Sequence, residues 1–548
     1  MMKKAILIFI LLLASTLRLW QIGQTPISLD WDEVALGYNA YSLMLTGKDE
    51  YGKVFPVVLE SFGDFKPALY TYLIIPFLPI FGLTDIAVRL PAAIIGVVAV
   101  LLTYFLAKEL IKRTDVAFIA SFLLAISPWH VQFSRVAFES GVGMAFNLAG
   151  ILFFLKGLKK PVLLNFAAIF FALSIYTYQS EKLFVPLLLL ILISVYWQQL
   201  KVFHKKYSLA AVFLLIIITL PIAHFTLTNQ NGLARAKGVS IFSDTNSLLQ
   251  RNVKILQKDK SEHDYIGQIF DNRRVVYIKT IIQGYLSHFD LNWWFITGDS
   301  VNRHHVPQMS LMYITELPFL LLGFYVLFFS PFPINKKTKL FLLLWILATP
   351  ISASFTTGVP HAVRTLNFLP SLQIITSLGI LAAYLLVTKT VKNPFLKLAF
   401  PTVVVLLFIF NFIFYINQYF VQQNYFYAKD WIYGYRQLVD YLTPMQSKYK
   451  KIIVSNKGYM DNSHMFFLYY QKYDPKKYLR EGGTKISGIE RIGNKYQNFE
   501  FRPFNYYNEN DLPVLLVGTE RDFPKKFKVI KRIYFPDGTE AMRVVEKI

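Results

Sequence analysis

Pro26-Ile27-Ser28-Leu29-Asp30-Trp31-Asp32-Glu33 is the stretch on which the reading of this chain turns. It follows an apolar run, residues 5–17, that ends near Trp20. With that run across a bilayer, Asp32 and Glu33 stand just outside it, on the first loop. Carboxylates fixed at a membrane surface suit chemistry on a substrate with a lipid tail. A structural role is equally open, because Asp at a helix N-cap with Glu in the first turn is ordinary helix-start chemistry. Asp30-Trp31-Asp32 also has the DxD spacing associated with metal-bound sugar nucleotides, but no strand of a soluble sheet precedes it.

The rest of the chain supports a membrane setting. Of its 548 residues, 54% are hydrophobic, and the mean hydropathy is +0.40. Soluble domains rarely exceed about 50% apolar residues. Windows such as 90–107, 208–223, 313–332 and 399–416 carry almost no charge, the signature of membrane-spanning helices. The net charge of +23 invites a nucleic-acid reading. The lysines argue against it, since they fall in short clusters between apolar runs, the pattern that orients a membrane protein; no nucleic-acid partner is expected. There is no cysteine, so disulfides, thiolate chemistry and Cys-ligated zinc are excluded. Met1-Met2-Lys3-Lys4 before an apolar run also fits a secretory signal peptide. No small-x-small site closes it, and we read an uncleaved first span.

Basic clusters recur at alternate gaps, at Lys3-Lys4, Lys108 to Arg113, Lys156 to Lys160, Lys201 to Lys206, Lys336 to Lys339 and Lys389 to Lys397. Placing all of them in the cytoplasm satisfies the positive-inside rule. The fold class expected is a polytopic α-helical membrane protein of 11 spans, at about 4–20, 88–108, 115–133, 139–157, 161–179, 183–200, 208–227, 313–333, 340–356, 366–388 and 398–420. The N-terminus is then cytoplasmic. A membrane domain covers 1–420, with outer loops at about 21–87 and 228–312. The tail, 421–548, becomes a small extracytoplasmic α/β domain. Its strands are expected at Ile452-Ile453-Val454 and Val514 to Val517, a helix at His464 to Tyr473, and a hairpin across Pro536-Asp537-Gly538. The tail's 22 Lys and Arg against 14 Asp and Glu do not upset this orientation, because long translocated domains are exempt from the charge rule.

The outer loops carry the candidate chemistry. In the first, Val34 to Leu45 reads as a short helix lying flat in the interface. Ser61 to Pro67 contains Asp64 and Lys66, and Ala68 to Phe81, broken by prolines, reads as re-entrant. Arg89 opens the second span, where snorkelling to the interface is the plain alternative. Arg303-His304-His305 ends the long loop and suits a phosphate or a shared metal. Trp293-Trp294 is either a sugar-stacking face or an interfacial anchor. His361 and Arg364 open a late span on the outer side, well placed for a lipid phosphate.

The order of these features resembles the GT-C glycosyltransferases of family 39, which include protein O-mannosyltransferases and the enzymes that add aminoarabinose to lipid A. Asp32-Glu33 resembles the Asp-Glu motif of their first outer loop. Lys66-Pro67-Ala68-Leu69-Tyr70 resembles Lys-Pro-Pro-Leu-Tyr, and Arg89-Leu90-Pro91-Ala92-Ala93 resembles Arg-Leu-Pro-Ser-Ala; Ser127-Pro128 also fits. The likeness runs over about residues 1–200 and thins to topology beyond. Ala68 replaces the usual second proline, Phe65 stands where some lipid A enzymes place a metal-binding Glu or His, and the tail is not the trefoil of the eukaryotic enzymes.

The resemblance implies inverting transfer of a hexose or pentose from a polyprenyl-phosphate-linked donor to a lipid, glycan or protein acceptor. Lipopolysaccharide or cell-envelope biosynthesis at the plasma membrane is the expected setting, among membrane lipids. On this reading Asp32 is the base and Glu33 its orienting partner. Asp64, Lys66, Arg89, Arg303, His304, His361 and Arg364 bind substrate. No cofactor is assigned, and a divalent metal stays open. The rival class is a polytopic transporter or lipid flippase. Such a protein should carry mid-membrane charges and paired halves, neither of which the sequence displays.

Overall fold

The computed structural model describes residues 2–201, 205–229, 232, 238–243, 248–330, 332–485, 493–509, 513–524 and 527–547. A helix lies at each of the eleven expected span positions. Among the described residues, six helices are long and apolar enough to cross a membrane: Asp85–Ile111, Glu139–Gly157, Glu181–Leu200, Lys206–Thr228, Leu366–Thr390 and Pro394–Phe426. A seventh appears if Thr114–Ile126 and Pro128–Arg135, bent by 56°, count as one. The protein is a multi-pass membrane protein, and the finer count is taken up below.

The expected span over 115–133 is thus bent within its length. Ser127 starts a new helix, its Oγ accepting the His130 N–H at 3.4 Å, and Pro128 fits the first helical position. The break leaves the last carbonyls of Thr114–Ile126 without helical partners. Arg18, at the end of α1 (Met2–Leu19), satisfies two of them, donating to Leu124 O at 3.2 Å and Ala125 O at 3.0 Å. The first helix is thereby pinned where the first outer loop begins.

That loop opens with α2 (Trp31–Thr46), ended by Gly47 in the left-handed region. Apolar residues occur all round α2, and a helix of that kind is buried rather than laid on a surface. Residues Glu33 through Ala40 are all buried, which corrects the expectation of a flat interfacial helix. Gly37 marks the tightest point. A Cβ there would stand 2.7 Å from Val88 of α3 (Asp85–Ile111) on one side and 2.7 Å from the Tyr469 ring of the tail on the other. The hairpin β1 (Val58–Ser61) and β2 (Asp64–Pro67) follows, with Leu59 facing Lys66. The sequence reading did not anticipate it.

The tail holds a six-stranded mixed sheet in the order β4-β5-β3-β6-β8-β7, where β3 is Lys451–Val454, β4 Asn494–Tyr496, β5 Phe499–Phe501, β6 Val514–Gly518, β7 Val529–Tyr534 and β8 Glu540–Lys547. Strand β3 runs parallel to both β5 and β6 and lies between them. A strand in that position is covered on both faces, which is why 452–454 and 514–517 read as unbroken apolar runs. The expected hairpin is β7–β8, and the expected helix is α4 (Ser463–Tyr470). One apolar core joins the tail to the first loop, with Val34, Val88, Leu438, Phe466, Phe467 and Val517 in a single buried cluster.

Candidate active site

The first loop, the long outer loop and the tail converge on a cavity of about 900 Å³. Six of the nine expected site residues line it: Asp32, Asp64, Lys66, Arg303, His304 and His361.

Local rules aim each of them. The N-cap of α2 is Asp30, not Asp32. Asp30 Oδ1 accepts the Glu33 N–H at 2.8 Å, and Glu33 Oε2 accepts the Asp30 N–H at 3.2 Å, a reciprocal capping box. Asp32 is therefore spared capping duty. Its carboxylate, 32% exposed, reaches into the cavity and pairs with Lys66. On β2 side chains alternate faces, so Asp64 and Lys66 share one side while Phe65 turns away, its ring 5.9 Å from that of Phe225. Burial lowers the Lys66 ammonium, but Asp32 and Glu139 outweigh it, and the net shift is upward. Lysine and aspartate form an ion pair at the cavity.

Arg303 pairs with Asp30, and its guanidinium lies 4.2 Å from the centre of the Trp31 ring. Burial, with Asp32 and Glu33 close by, pushes the Asp30 carboxyl up to about 6 against the pull of Arg303.

Glu33 and Arg89 are not among the cavity's lining residues and pair with each other instead. Arg89 is wholly buried, and every one of its N–H donors is used. Nε and Nη2 hold the two Glu33 oxygens at 2.9 and 3.0 Å, Nη1 donates to Ile22 O and Pro26 O, and Nη2 also to Ser28 O at 2.6 Å. Glu33 Oε1 also accepts the Ala137 N–H at 3.0 Å. A planar five-donor fork suits this clamp where a lysine would not. The pair fixes the loop that delivers Asp32. Arg364 also lies off the cavity lining, donating to Thr356 Oγ1 at 2.5 Å and Thr357 O at 2.8 Å.

His304 does not pair with His305, whose ring faces Tyr427. It lies beside Asp299 and His361, and the ligand atoms of these three sit within 4.8 Å of one another. His304 Nδ1 is 3.2 Å from Asp299 Oδ1, and His361 Nδ1 is buried without a hydrogen-bond partner. Burial pushes both imidazoles down, toward the neutral, ligand-competent form. Two neutral imidazoles and a carboxylate are a donor set for a divalent cation. Trp293 and Trp294 are buried in the helical core, which removes both roles read for them.

The sequence reading missed Glu139, Asp461 and Asn462, which also line the cavity. Glu139 had a signal, an acid opening an apolar helix. The other two had none, as isolated polar residues in a soluble segment.

A sequence model of the dolichyl-phosphate-mannose-protein mannosyltransferase family matches residues 65–223. No curated relative matches significantly. Among solved structures the chain is similar to ArnT from Cupriavidus metallidurans. With ArnT bound to undecaprenyl phosphate the TM-score is 0.55 at 11% identity, over 99% of this chain and 97% of that one. With the apo state it is 0.56 at 12% identity, over 98% and 97%. The archaeal oligosaccharyltransferase AglB from Archaeoglobus fulgidus, in complex with an inhibitory peptide and a dolichol-phosphate, gives 0.50 at 13% identity, over 94% of this chain and 69% of that one. The GT-C resemblance stands, as a shared fold along the chain and as a family sequence pattern over residues 65–223.

Proposed function

We propose that this protein is a glycosyltransferase that moves a sugar from a polyprenyl-phosphate donor to an acceptor hydroxyl at the outer face of the plasma membrane, inverting the anomeric carbon. The observation that carries the reading is the meeting of Asp32, Lys66 and Arg303 in one cavity. A base and two cations are what the reaction needs. The Asp32 carboxylate takes the proton from the acceptor hydroxyl as its oxygen attacks the anomeric carbon. General-base help of this kind contributes about 10²–10⁴-fold. The bond from that carbon to the phosphate oxygen breaks, and polyprenyl phosphate leaves with the electron pair. Lys66 and Arg303 meet the charge that grows on the leaving oxygen. In the resting pair Lys66 holds the Asp32 carboxylate. As the donor phosphate docks, it draws the ammonium away and frees the base.

Asp299, His304 and His361 would hold a divalent cation beside the same cavity; the ion would add positive charge for the phosphate. The alternating basic clusters support 11 crossings, with a cytoplasmic N-terminus and an extracytoplasmic tail.

The test is a panel of radiolabelled polyprenyl-phosphate sugars given to purified protein in vesicles, with cell-envelope glycans as acceptors. Label in the acceptor with release of polyprenyl phosphate is expected. Label carried unchanged across the vesicle would mark a transporter or flippase instead.

A further inference from the structure

One wall of the cavity comes from the tail, through Gly458, Tyr459, Asp461 and Asn462 in the turn between β3 and α4. Asn462 is the N-cap of α4, with φ of 66° and ψ of 16°, a conformation Asn enters more readily than most residues. An Asn at an N-cap ordinarily gives its side-chain oxygen to the N–H groups of the first turn. Here it makes no capping bond. The Ser463 N–H goes instead to Asn456 Oδ1 at 3.1 Å. Asn462 is only 5% exposed, and its Oδ1 has no hydrogen-bond partner. Leaving such a group unpaired is costly. The fold thus keeps, buried at the cavity wall, a hydrogen-bond acceptor that it does not itself use. Asp461 brings a carboxylate to the same wall, and the rings of Trp31, Phe138 and Tyr178 line the cavity with it. Carboxylate, carboxamide and flat aromatic surface are a set that recognises hydroxyls and apolar ring faces together.

We infer that the 458–462 turn is the acceptor subsite, and that the hydroxyl to be glycosylated belongs to a carbohydrate. The inference rests on the glycosyltransferase reading above. A donor phosphate needs cations, and Lys66 and Arg303 supply them from the first and long outer loops. Among the described residues, the tail wall of the cavity carries no Lys or Arg. It therefore does not compete for the phosphate and is left to the neutral, hydroxyl-rich partner. Asp461 and Asn462 bind that partner, while Asp32 takes its proton.

The test uses full-length protein in lipid nanodiscs. Asn462→Gly keeps the left-handed backbone and removes only the carboxamide, and Asp461→Asn keeps the shape and removes the charge. Undecaprenyl phosphate binding is measured first. Saturation-transfer difference NMR then probes methyl glycosides of mannose, glucose, galactose and N-acetylglucosamine at millimolar concentration. At least one glycoside should bind the wild type. Each substitution should weaken it about 5-fold or more, the worth of a lost hydrogen bond, with undecaprenyl phosphate binding unchanged. The inference is overturned if undecaprenyl phosphate binds but no glycoside does, or if both variants bind glycosides as the wild type does. A wild type that fails to bind undecaprenyl phosphate sinks the parent reading, and this one with it.

Discussion

Asp32 and Glu33 leave one helical turn in different directions, the first into a solvated cavity and the second into a dry clamp with Arg89. Their substitutions should therefore differ in kind. Asp32→Asn is expected to lower transfer at least about 10²-fold with melting temperature and undecaprenyl phosphate binding retained; wild-type turnover would remove the base assignment. Arg89→Ala strands a buried carboxylate and is expected to cost about 3–5 kcal/mol of stability, read by denaturant titration in detergent. An unchanged midpoint would mean the 22–28 loop is held by something else.

Asp30 gives a pH signature. Its carboxyl is raised to about 6 in the folded protein, against about 3.9 for an unfolded chain. The folded state therefore takes up the extra proton between these values. The contribution of Asp30 to stability is greatest below pH 4 and declines as pH rises through 6. Asp30→Asn keeps a capping side chain and abolishes that decline. Its melting temperature relative to wild type should be higher at pH 7 than at pH 4, and a difference independent of pH would contradict the shift. The sequence made Asp32, Lys66 and Arg303 legible because ionised groups at the outer ends of apolar runs stand out. It favoured Asp32 over Glu33 as the base but could not show where Glu33 goes, because that depends on which residue caps α2 and on an arginine 56 residues away.

Among the elements, α2 is the hinge of the account. Its first turn carries the proposed base, and its middle is gripped between α3 and α4 at Gly37. Gly37→Val should overpack that contact and cost about 1–3 kcal/mol, lowering transfer through displacement of Asp32. A variant with unchanged melting temperature and rate would show that the grip is looser than the spacing implies. The sequence displayed α2 as a helix but misplaced it in the interface. The tail that covers it lies more than 400 residues away, and no local pattern encodes such a contact. The β1–β2 hairpin escaped notice for a related reason. Its strands are four residues each, too short for alternation to show.

At the scale of the whole molecule, alternating basic clusters and apolar runs made the membrane architecture readable, and the runs of 452–454 and 514–517 made the tail's sheet readable. Nothing in the local pattern showed that the tail closes a cavity begun by the first loop. That arrangement arises only when the first loop and the tail share one core and the long loop joins them at the cavity wall. The account rests on where the donor phosphate goes. A cryo-EM structure of the protein with undecaprenyl phosphate tests it most directly. The phosphate should lie within about 4 Å of Lys66 Nζ and the Arg303 guanidinium, with the prenyl chain running into the membrane and Asp32 released from Lys66. A phosphate bound on the lysine-rich cytoplasmic side, with the Asp32 cavity empty, would contradict it.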